Sequence, residues 1–276
     1  MKDFKDKVAV VTGSASGIGF ETAQAFAKLG MRVALLDVRV DEVKAAADTI
    51  RASGAHAIGV AVDVTDQASV DKAAESVLAE FGTTDLLMNN AAVFMRGGAI
   101  AEIPDDAWHW LLNVNLFGPI HCIRSFLPLI KAHGRGGHIV NTSSISGFVV
   151  RDRQNGAYAA TKSGLVSFSE ALHYDLEDSG IGVSVVLPGP VASDFYLTSA
   201  EHRGNLGGPN LYPTTPPDTA AGMKPAEVAA RIIEGIRDNR FFIATHTGTR
   251  PMLESRHADL MAAYDAAAEW QPDKAD

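Results

Sequence analysis

Val8-Ala9-Val10-Val11-Thr12-Gly13-Ser14-Ala15-Ser16-Gly17-Ile18-Gly19 sets the reading of this chain. Val8–Val11 is a short, continuous apolar run, the mark of a strand buried on both faces. Glycines follow at once, spaced G-x-x-x-G-x-G at 13, 17 and 19. Phe20–Leu29 then carries helical periodicity, and Gly30 ends it. Strand, glycine turn and helix, in that order, form the setting in which a glycine loop holds phosphate. The glycines allow a tight turn and close approach of the backbone, and the helix N-terminus presents unpaired N–H groups and a positive dipole end. Gly13, Ser16, Gly17, Ile18 and Gly19 are therefore candidate contacts to the pyrophosphate of a dinucleotide. The plainer alternative is an ordinary glycine-rich turn.

Outward from this stretch, strand and helix alternate. Arg32–Leu36 reads as the second strand and ends in Asp37, eighteen residues after Gly19. A carboxylate there accepts both hydroxyls of an adenosine ribose and repels a 2′-phosphate. Arg39 is the one nearby feature that favours that phosphate, and the glycine loop holds no basic residue. NAD is the expected cofactor, with NADP as the alternative. A helix over Asp41–Ser53 leads to a strand over His56–Val62, with Asp63 and Val64 at its end. Asp63 is placed either to bond the adenine amino group or simply to open the next turn. A helix over Asp66–Phe81 and a strand over Thr84–Met88 follow. Asn89-Asn90-Ala91-Ala92 comes after that strand, small enough for a cofactor ribose to approach Asn90 and Ala91. This alternation predicts an α/β, doubly wound parallel sheet with helices on both faces.

The second half of the chain carries the reactive groups. Asp105–Lys131 reads as one long helical segment containing Asn115, an amide that is costly in an apolar helix unless paired. It serves either a structural bond or a polar relay. The strand His138–Thr142 runs into Ser143-Ser144-Ile145-Ser146-Gly147, at the carboxyl end of the sheet where ligands bind in open α/β folds. After a loop over Phe148–Gln154, Tyr158-Ala159-Ala160-Thr161-Lys162 puts a phenol and an ammonium on one helix face. A phenol titrates near ~10. A neighbouring ammonium lowers that value, suiting the tyrosine to general acid/base work. Taken alone, the pair is also compatible with a chance surface spacing.

Gly182–Leu187 is a sixth strand, stopped by Pro188-Gly189-Pro190-Val191. Ala192–Met223 is rich in glycine, proline and threonine and brings Phe195, Tyr196, Leu197, Leu211 and Tyr212. So long a connection is usually a lid or a binding loop. Pro225–Asn239 reads as a helix, Phe241–Ala244 as a seventh strand, and Ser255–Trp270 as an amphipathic tail helix before a frayed end. The expected division is 1–250 for a Rossmann-type dinucleotide-binding domain with a lid at about 192–223, and 251–276 for a helical extension.

Composition narrows the possibilities. The chain has 276 residues, 46% hydrophobic, and a formal charge of −9, which argues against nucleic acid or an anionic membrane as the main partner. Its one cysteine, Cys122, permits no internal disulfide and reads as buried filler. No apolar signal region opens the chain and no run is long enough to span a bilayer, so a cytoplasmic protein is expected. The nine histidines are scattered without ligand spacing, and no metal is expected.

Together, Thr12-Gly13-x-x-x-Gly17-Ile18-Gly19, Asn89-Asn90-Ala91, Asn115, Ser144, Tyr158-x-x-x-Lys162 and Pro188-Gly189 resemble the short-chain dehydrogenase/reductase family in its shorter, single-domain form. The resemblance covers about Lys7 to Ala244. It implies a Rossmann fold of about seven parallel strands and hydride transfer between a nicotinamide cofactor and a secondary alcohol or ketone. It makes Tyr158 the general acid/base and Lys162 the partner that bonds the nicotinamide ribose and lowers the tyrosine pKa. Ser144 then holds the substrate oxygen, chosen over Ser143 and Ser146 for standing three residues before Gly147. Asn115 anchors a water in a relay to Lys162. Pro188, Gly189, Val191 and Ser193 meet the nicotinamide end. The resemblance also implies a homo-oligomer, dimer or tetramer, packed through Asp105–Lys131 and Gly156–Asp178. The start of the chain and its C-terminal helix are similar to bacterial members that oxidise side-chain alcohols of lignin-derived aromatics.

Two departures from the family pattern stand out. Ala92 replaces a usual glycine, and Ser144 precedes Tyr158 by fourteen residues rather than thirteen, so that a bulge is expected within Val149–Asn155. The expected substrate is apolar and fairly bulky, held by Phe94, Phe148, Phe195, Leu211 and Tyr212, with Met95 in the same wall. Arg151 and Arg153 are the reservation. Alternatives are a non-catalytic dinucleotide sensor on the same fold, a member acting on a sugar or acyl thioester, a larger sugar-nucleotide epimerase, whose glycines are spaced differently, or an enoyl reductase, which usually has six residues between tyrosine and lysine rather than three.

Overall fold

A computed structural model describes residues 1–96, 98–150, 154–204, 206, 219 and 221–269. Seven strands form one sheet in the order β3-β2-β1-β4-β5-β6-β7, and every pairing is parallel. They are β1 (Val8–Thr12), β2 (Arg32–Asp37), β3 (Ala57–Ala61), β4 (Leu86–Asn89), β5 (Gly137–Thr142), β6 (Ile181–Leu187) and β7 (Phe242–Ala244). The central strands are apolar on both faces because both faces are covered. Ala9 and Val11 face the core under α1 (Gly17–Lys28), α2 (Val40–Ala52) and the late helix Pro225–Arg237. Val8 and Val10 face the opposite core with α3 (Gln67–Phe81), the helix Gly118–Ala132 and the end of the helix Gly156–Asp175. The order of the chain reverses at β1, which lies between β2 and β4. In open α/β sheets the ligand crevice opens above such a point.

Local departures from the expected elements have identifiable causes. The first helix begins at Gly17 rather than Phe20, so the last glycines of the loop are themselves its first turn. The long segment from Asp105 is broken into α4 (Asp105–Leu112), a wide turn over Asn113–Phe117 and α5 (Gly118–Ala132). Pro119 has no N–H to return to the carbonyl of Asn115, and the ladder shifts so that the Gly118 N–H reaches the Asn113 carbonyl. Then come α6 (Gly156–Asp175), α7 (Phe195–Arg203), α8 (Pro225–Arg237) and α9 (Arg250–Glu269). Helix α7 lies inside the segment expected to be an irregular lid. Helix α9 starts earlier than expected and does not bury an apolar face: Leu260, Met261 and Tyr264 are all exposed. No helix among the described residues is long and apolar enough to cross a membrane.

The glycine turn is packed so closely that side chains are excluded. A Cβ on Gly19 would lie 2.2 Å from the carbonyl oxygen of Gly13, which is backbone and cannot swing away. Gly19→Ala is therefore expected to lower unfolding stability by about 1–3 kcal/mol, the usual range for overpacking. A urea midpoint equal to that of the native chain would contradict this packing.

Candidate active site

The carboxyl ends of the strands bring most of the predicted residues together around a cavity of about 600 Å³, with Gly19, Asn115 and Phe148 outside its lining. Tyr158 and Lys162, one turn apart on α6, are both buried. Lys162 Nζ donates to the Thr142 carbonyl at the end of β5 (2.9 Å) and lies 5.7 Å from the centre of the Tyr158 ring. Ser144 stands beside the Tyr158 phenol, close enough to favour its ionised form, and its Oγ accepts the Ser146 N–H at 3.1 Å. Ser143 faces elsewhere: its hydroxyl donates to the Lys162 carbonyl at 2.9 Å, so it ties β5 to α6 and leaves Ser144 as the hydroxyl beside the phenol. Asn115 is fully buried. Its amide clasps Val93 through both backbone groups (2.8 and 2.9 Å) and donates to Thr161 Oγ1 at 3.2 Å. These bonds give the Asn115 amide a structural tie, and its Oδ1 keeps a second lone pair beyond the one that accepts the Val93 N–H.

Aromatic rings surround the phenol. Phe94 meets Tyr158 edge-on at 5.0 Å between ring centres, Phe195 lies at 6.4 Å, and Tyr196 stands edge-on to Phe94 at 4.7 Å. The Phe94 N–H donates to Ser199 Oγ at 3.0 Å, which pins the chain after β4 to α7. Phe148, expected in this wall, is not there. It leaves the short turn Ile145–Gly147 toward β7 and packs edge-on to Phe242 at 5.5 Å, among Val166, Val185 and Leu187. Met95 likewise turns inward, onto Ile103, Leu111 and Ala157. Leu211, Tyr212, Arg151 and Arg153 lie outside the described residues. The cavity is also lined by Trp110, Asn155 and His202, which the sequence did not point to because they come from distant segments with no motif of their own. Asn155 is buried and donates to Ser146 Oγ at 3.0 Å.

The other end of the cavity fits a dinucleotide. Ser16, at the start of α1, makes no side-chain cap bond, so the first N–H groups of the helix keep their capacity for an anion. Gly13 and Gly17 have φ of +61° and +60°, and a Cβ on Gly13 would strike Ala91 Cα at 2.6 Å. Thr12 holds that contact, its Oγ1 accepting the N–H groups of Asn90 and Ala91, both at 3.0 Å. Asn90 returns the tie by donating to the carbonyls of Thr12 and Gly13 at 3.1 and 3.0 Å. Asp37 is buried at the end of β2, accepts the Ala15 N–H at 3.0 Å and pairs with Arg39 at 3.1 Å. Arg39 also donates to Ser16 Oγ at 3.0 Å. Asp63 is exposed and folds onto Thr65 through Oδ1, while Val64 is buried beside it; both line the cavity. Pro188, Gly189, Val191 and Ser193 line it as well. Among the described residues no group of three or more histidine, cysteine or acidic side chains is set to hold a metal ion.

A model of the family described as short chain dehydrogenase matches residues 7–203. The chain belongs to the short-chain dehydrogenase family. This dehydrogenase is 33% identical over 280 residues to the C alpha-dehydrogenase of Sphingobium sp. strain SYK-6, covering 99% of its own length and 90% of the relative's. Its fold superposes with a TM-score of 0.87 on a short-chain dehydrogenase/reductase from Burkholderia phymatum in complex with NAD, 33% identical, covering 95% of this chain and 97% of the other. A metagenomic short-chain oxidoreductase in complex with NADP superposes with a TM-score of 0.69, at 29% identity over 87% of this chain and 96% of the other. The protein is an oxidoreductase of this family, whose structural neighbours bind NAD or NADP.

Burial sets the ionisation of the dehydrogenase's two central groups. It raises the Tyr158 phenol above its ordinary value, nearby Tyr196 adds to the rise, and Ser144 opposes it. Lys162 does not supply the expected lowering, and burial pushes its own ammonium down to about 7 from 10.5. Between those values the unfolded chain holds a proton on Lys162 that the native chain has released, so this residue's contribution to stability rises with pH. Below pH 7 the cost of burying the charge stands in full. Native unfolding free energy relative to Lys162→Met should therefore climb steadily from pH 7 to pH 10, and a difference flat across that window would contradict the assignment. Cys122, pushed up to about 12 by burial, is an inert thiol.

Proposed function

We propose that this oxidoreductase transfers hydride between NAD and a secondary alcohol or ketone with a bulky apolar body, aromatic or alicyclic. The observation that carries the reading is the wall of Phe94, Phe195 and Tyr196 built around Tyr158 and Ser144. An apolar lining with few polar groups at one end suits a compact organic substrate presented to an acid/base pair. Tyr158 is assigned as the general acid/base: it takes the hydroxyl proton at its phenolic oxygen in oxidation and returns it in reduction. Ser144 holds the substrate oxygen beside it. Lys162 supports the phenolate and the nicotinamide ribose, and Asn115 fixes the strand-end loop at Val93. A bound nicotinamide supplies the hydride chemistry. The backbone at Gly13–Gly19 would hold its pyrophosphate, with Asn90, Ala91, Asp63 and Val64 along the adenosine half and Pro188–Ser193 at the nicotinamide end.

The choice of NAD rests on Asp37 and Arg39. The buried carboxylate would accept the ribose hydroxyls, and the pairing of the Arg39 guanidinium with it supports NAD over a 2′-phosphate. The protein is further proposed to be a cytoplasmic homo-oligomer, dimer or tetramer, with residues 1–250 as the catalytic domain and 251–276 as an appended helix. Phe117, in the turn before α5, and Tyr174, on α6, at 45% and 74% exposed, support an interface there, although Ile123, Phe126, Leu165 and Leu172 are already used by the chain's own core. A monomer by sedimentation at micromolar concentration would contradict the assembly.

The direct test is a screen of secondary alcohols and ketones, small aliphatic to bulky aromatic, with NAD and NADP side by side. Bulky aromatic or alicyclic alcohols with NAD should be turned over best. Phe195→Ala should raise KM for these by about tenfold while barely changing it for a small aliphatic alcohol. Preference for a sugar or a coenzyme A ester would overturn the substrate assignment, and nucleotide binding without turnover of any substrate would favour a sensor. Asp37→Ala should reduce the preference for NAD over NADP by about tenfold or more, the worth of a charge-assisted bond. A native preference for NADP would make Arg39 the reader.

A further inference from the structure

His246 lies two residues beyond β7, outside the family's motif set, yet it grips the turn that ends β6. The Gly189 N–H donates to His246 Nδ1 at 3.0 Å, and His246 Nε2 lies 2.8 Å from the Pro190 carbonyl. These partners fix the tautomer. A backbone N–H can only donate, so Nδ1 carries the lone pair and the proton sits on Nε2, where the Pro190 carbonyl accepts it. The Thr245 hydroxyl, with one proton to give, lies 2.7 Å from Nδ1 and 3.3 Å from the Leu187 carbonyl, so on this tautomer it donates to the nearer Nδ1. The fit is close: a Cβ on Gly189 would meet the His246 ring at 2.9 Å.

The turn needs a brace on this side because it is a thin wall. Pro190 borders the site cavity of about 600 Å³ on one face and a second cavity of about 380 Å³ on the other, where His246 stands with Met223, Arg231 and Met252. Two further ties reach the turn, from the Ile145 N–H to the Pro188 carbonyl (3.0 Å) and from the Met223 N–H to the Pro190 carbonyl (3.1 Å). Neither holds the Gly189 N–H. Val191 and Ser193 follow directly and lead into α7, so the position of the turn is passed on to the residues placed at the nicotinamide end.

We propose that His246 is a positioning residue for that end: by clamping Gly189 and Pro190 it holds Val191 and Ser193 where the nicotinamide ring is received. The proposal rests on the reading that the cavity holds a nicotinamide dinucleotide. Its prediction is a split between the two halves of the nucleotide. Binding of NADH and of ADP-ribose, which lacks the nicotinamide, is measured by titration calorimetry on the full-length protein, or with NADPH and its 2′-phosphorylated ADP-ribose if the native chain prefers NADP. His246→Leu keeps bulk and loses both bonds. It should bind NADH about tenfold more weakly, the worth of two ordinary hydrogen bonds, and ADP-ribose within about twofold of the native protein. His246→Asn, which keeps an acceptor for the Gly189 N–H, should recover part of the loss. Equal weakening of both ligands, or no weakening of NADH, would overturn the clamp. A native protein that binds neither ligand would overturn the dinucleotide reading itself, and the clamp with it.

Discussion

A lysine ammonium that is 1% exposed has to find acceptors inside the protein, and Lys162 finds the Thr142 carbonyl at the end of β5. The geometry of the site depends on that constraint. The bond draws α6 onto the carboxyl end of β5, and the Ser143 hydroxyl closes the tie by donating to the Lys162 carbonyl. Gly147 must be glycine here, since a Cβ would lie 2.8 Å from Ser143 Oγ and 3.0 Å from the same carbonyl. With helix and strand locked in this way, Ser144 emerges beside Tyr158 rather than beneath it. The hydroxyl beside the phenol and the hydroxyl that braces the fold are thus neighbours with separate duties.

The same burial that locks the site also sets its energetics. A desolvated phenol and a desolvated amine both favour their neutral forms, so the resting protein stores neither a phenolate nor a fully charged lysine at modest alkaline pH. Charge in this site is therefore expensive until something compensates it. The positive ring of an oxidised nicotinamide is such a compensation, and it would favour the phenolate when an alcohol is to be oxidised. Under the proposed function, binding and acid/base readiness would be coupled through one desolvated cavity. The aromatic rings of Phe94, Phe195 and Tyr196 keep the surroundings of the phenol apolar.

Much of this was legible in the chain. Valine-rich runs with glycine turns fix a parallel sheet because strands covered on both faces have no room for polar residues, as in β1. The pairing of Tyr158 with Lys162 and the proximity of Ser144 follow from helix spacing and from the strand end. Other features were hidden because tertiary contacts decide them. Helix α7 sits in a segment rich in glycine and proline and is held by Ser199 against Phe94 rather than by its own propensity. Nothing in sequence position tells which way Phe148 leaves its turn; the Phe242 ring decides it. Trp110 and His202 reach the cavity only through packing of α4 and α7. The break at Asn113–Phe117 was readable in principle from Pro119, whose missing N–H disrupts the helix ladder at Asn115.

The central claim is that the Tyr158 hydroxyl moves the proton that accompanies hydride transfer. Its most direct measurement is single-turnover oxidation of a secondary alcohol substrate by Tyr158→Phe, with nucleotide affinity measured in parallel. The account predicts unchanged folding and nucleotide binding with the rate of the chemical step reduced by about 10²–10⁴, the typical worth of a general acid/base. A variant that binds nucleotide and turns over at close to the native rate would contradict it.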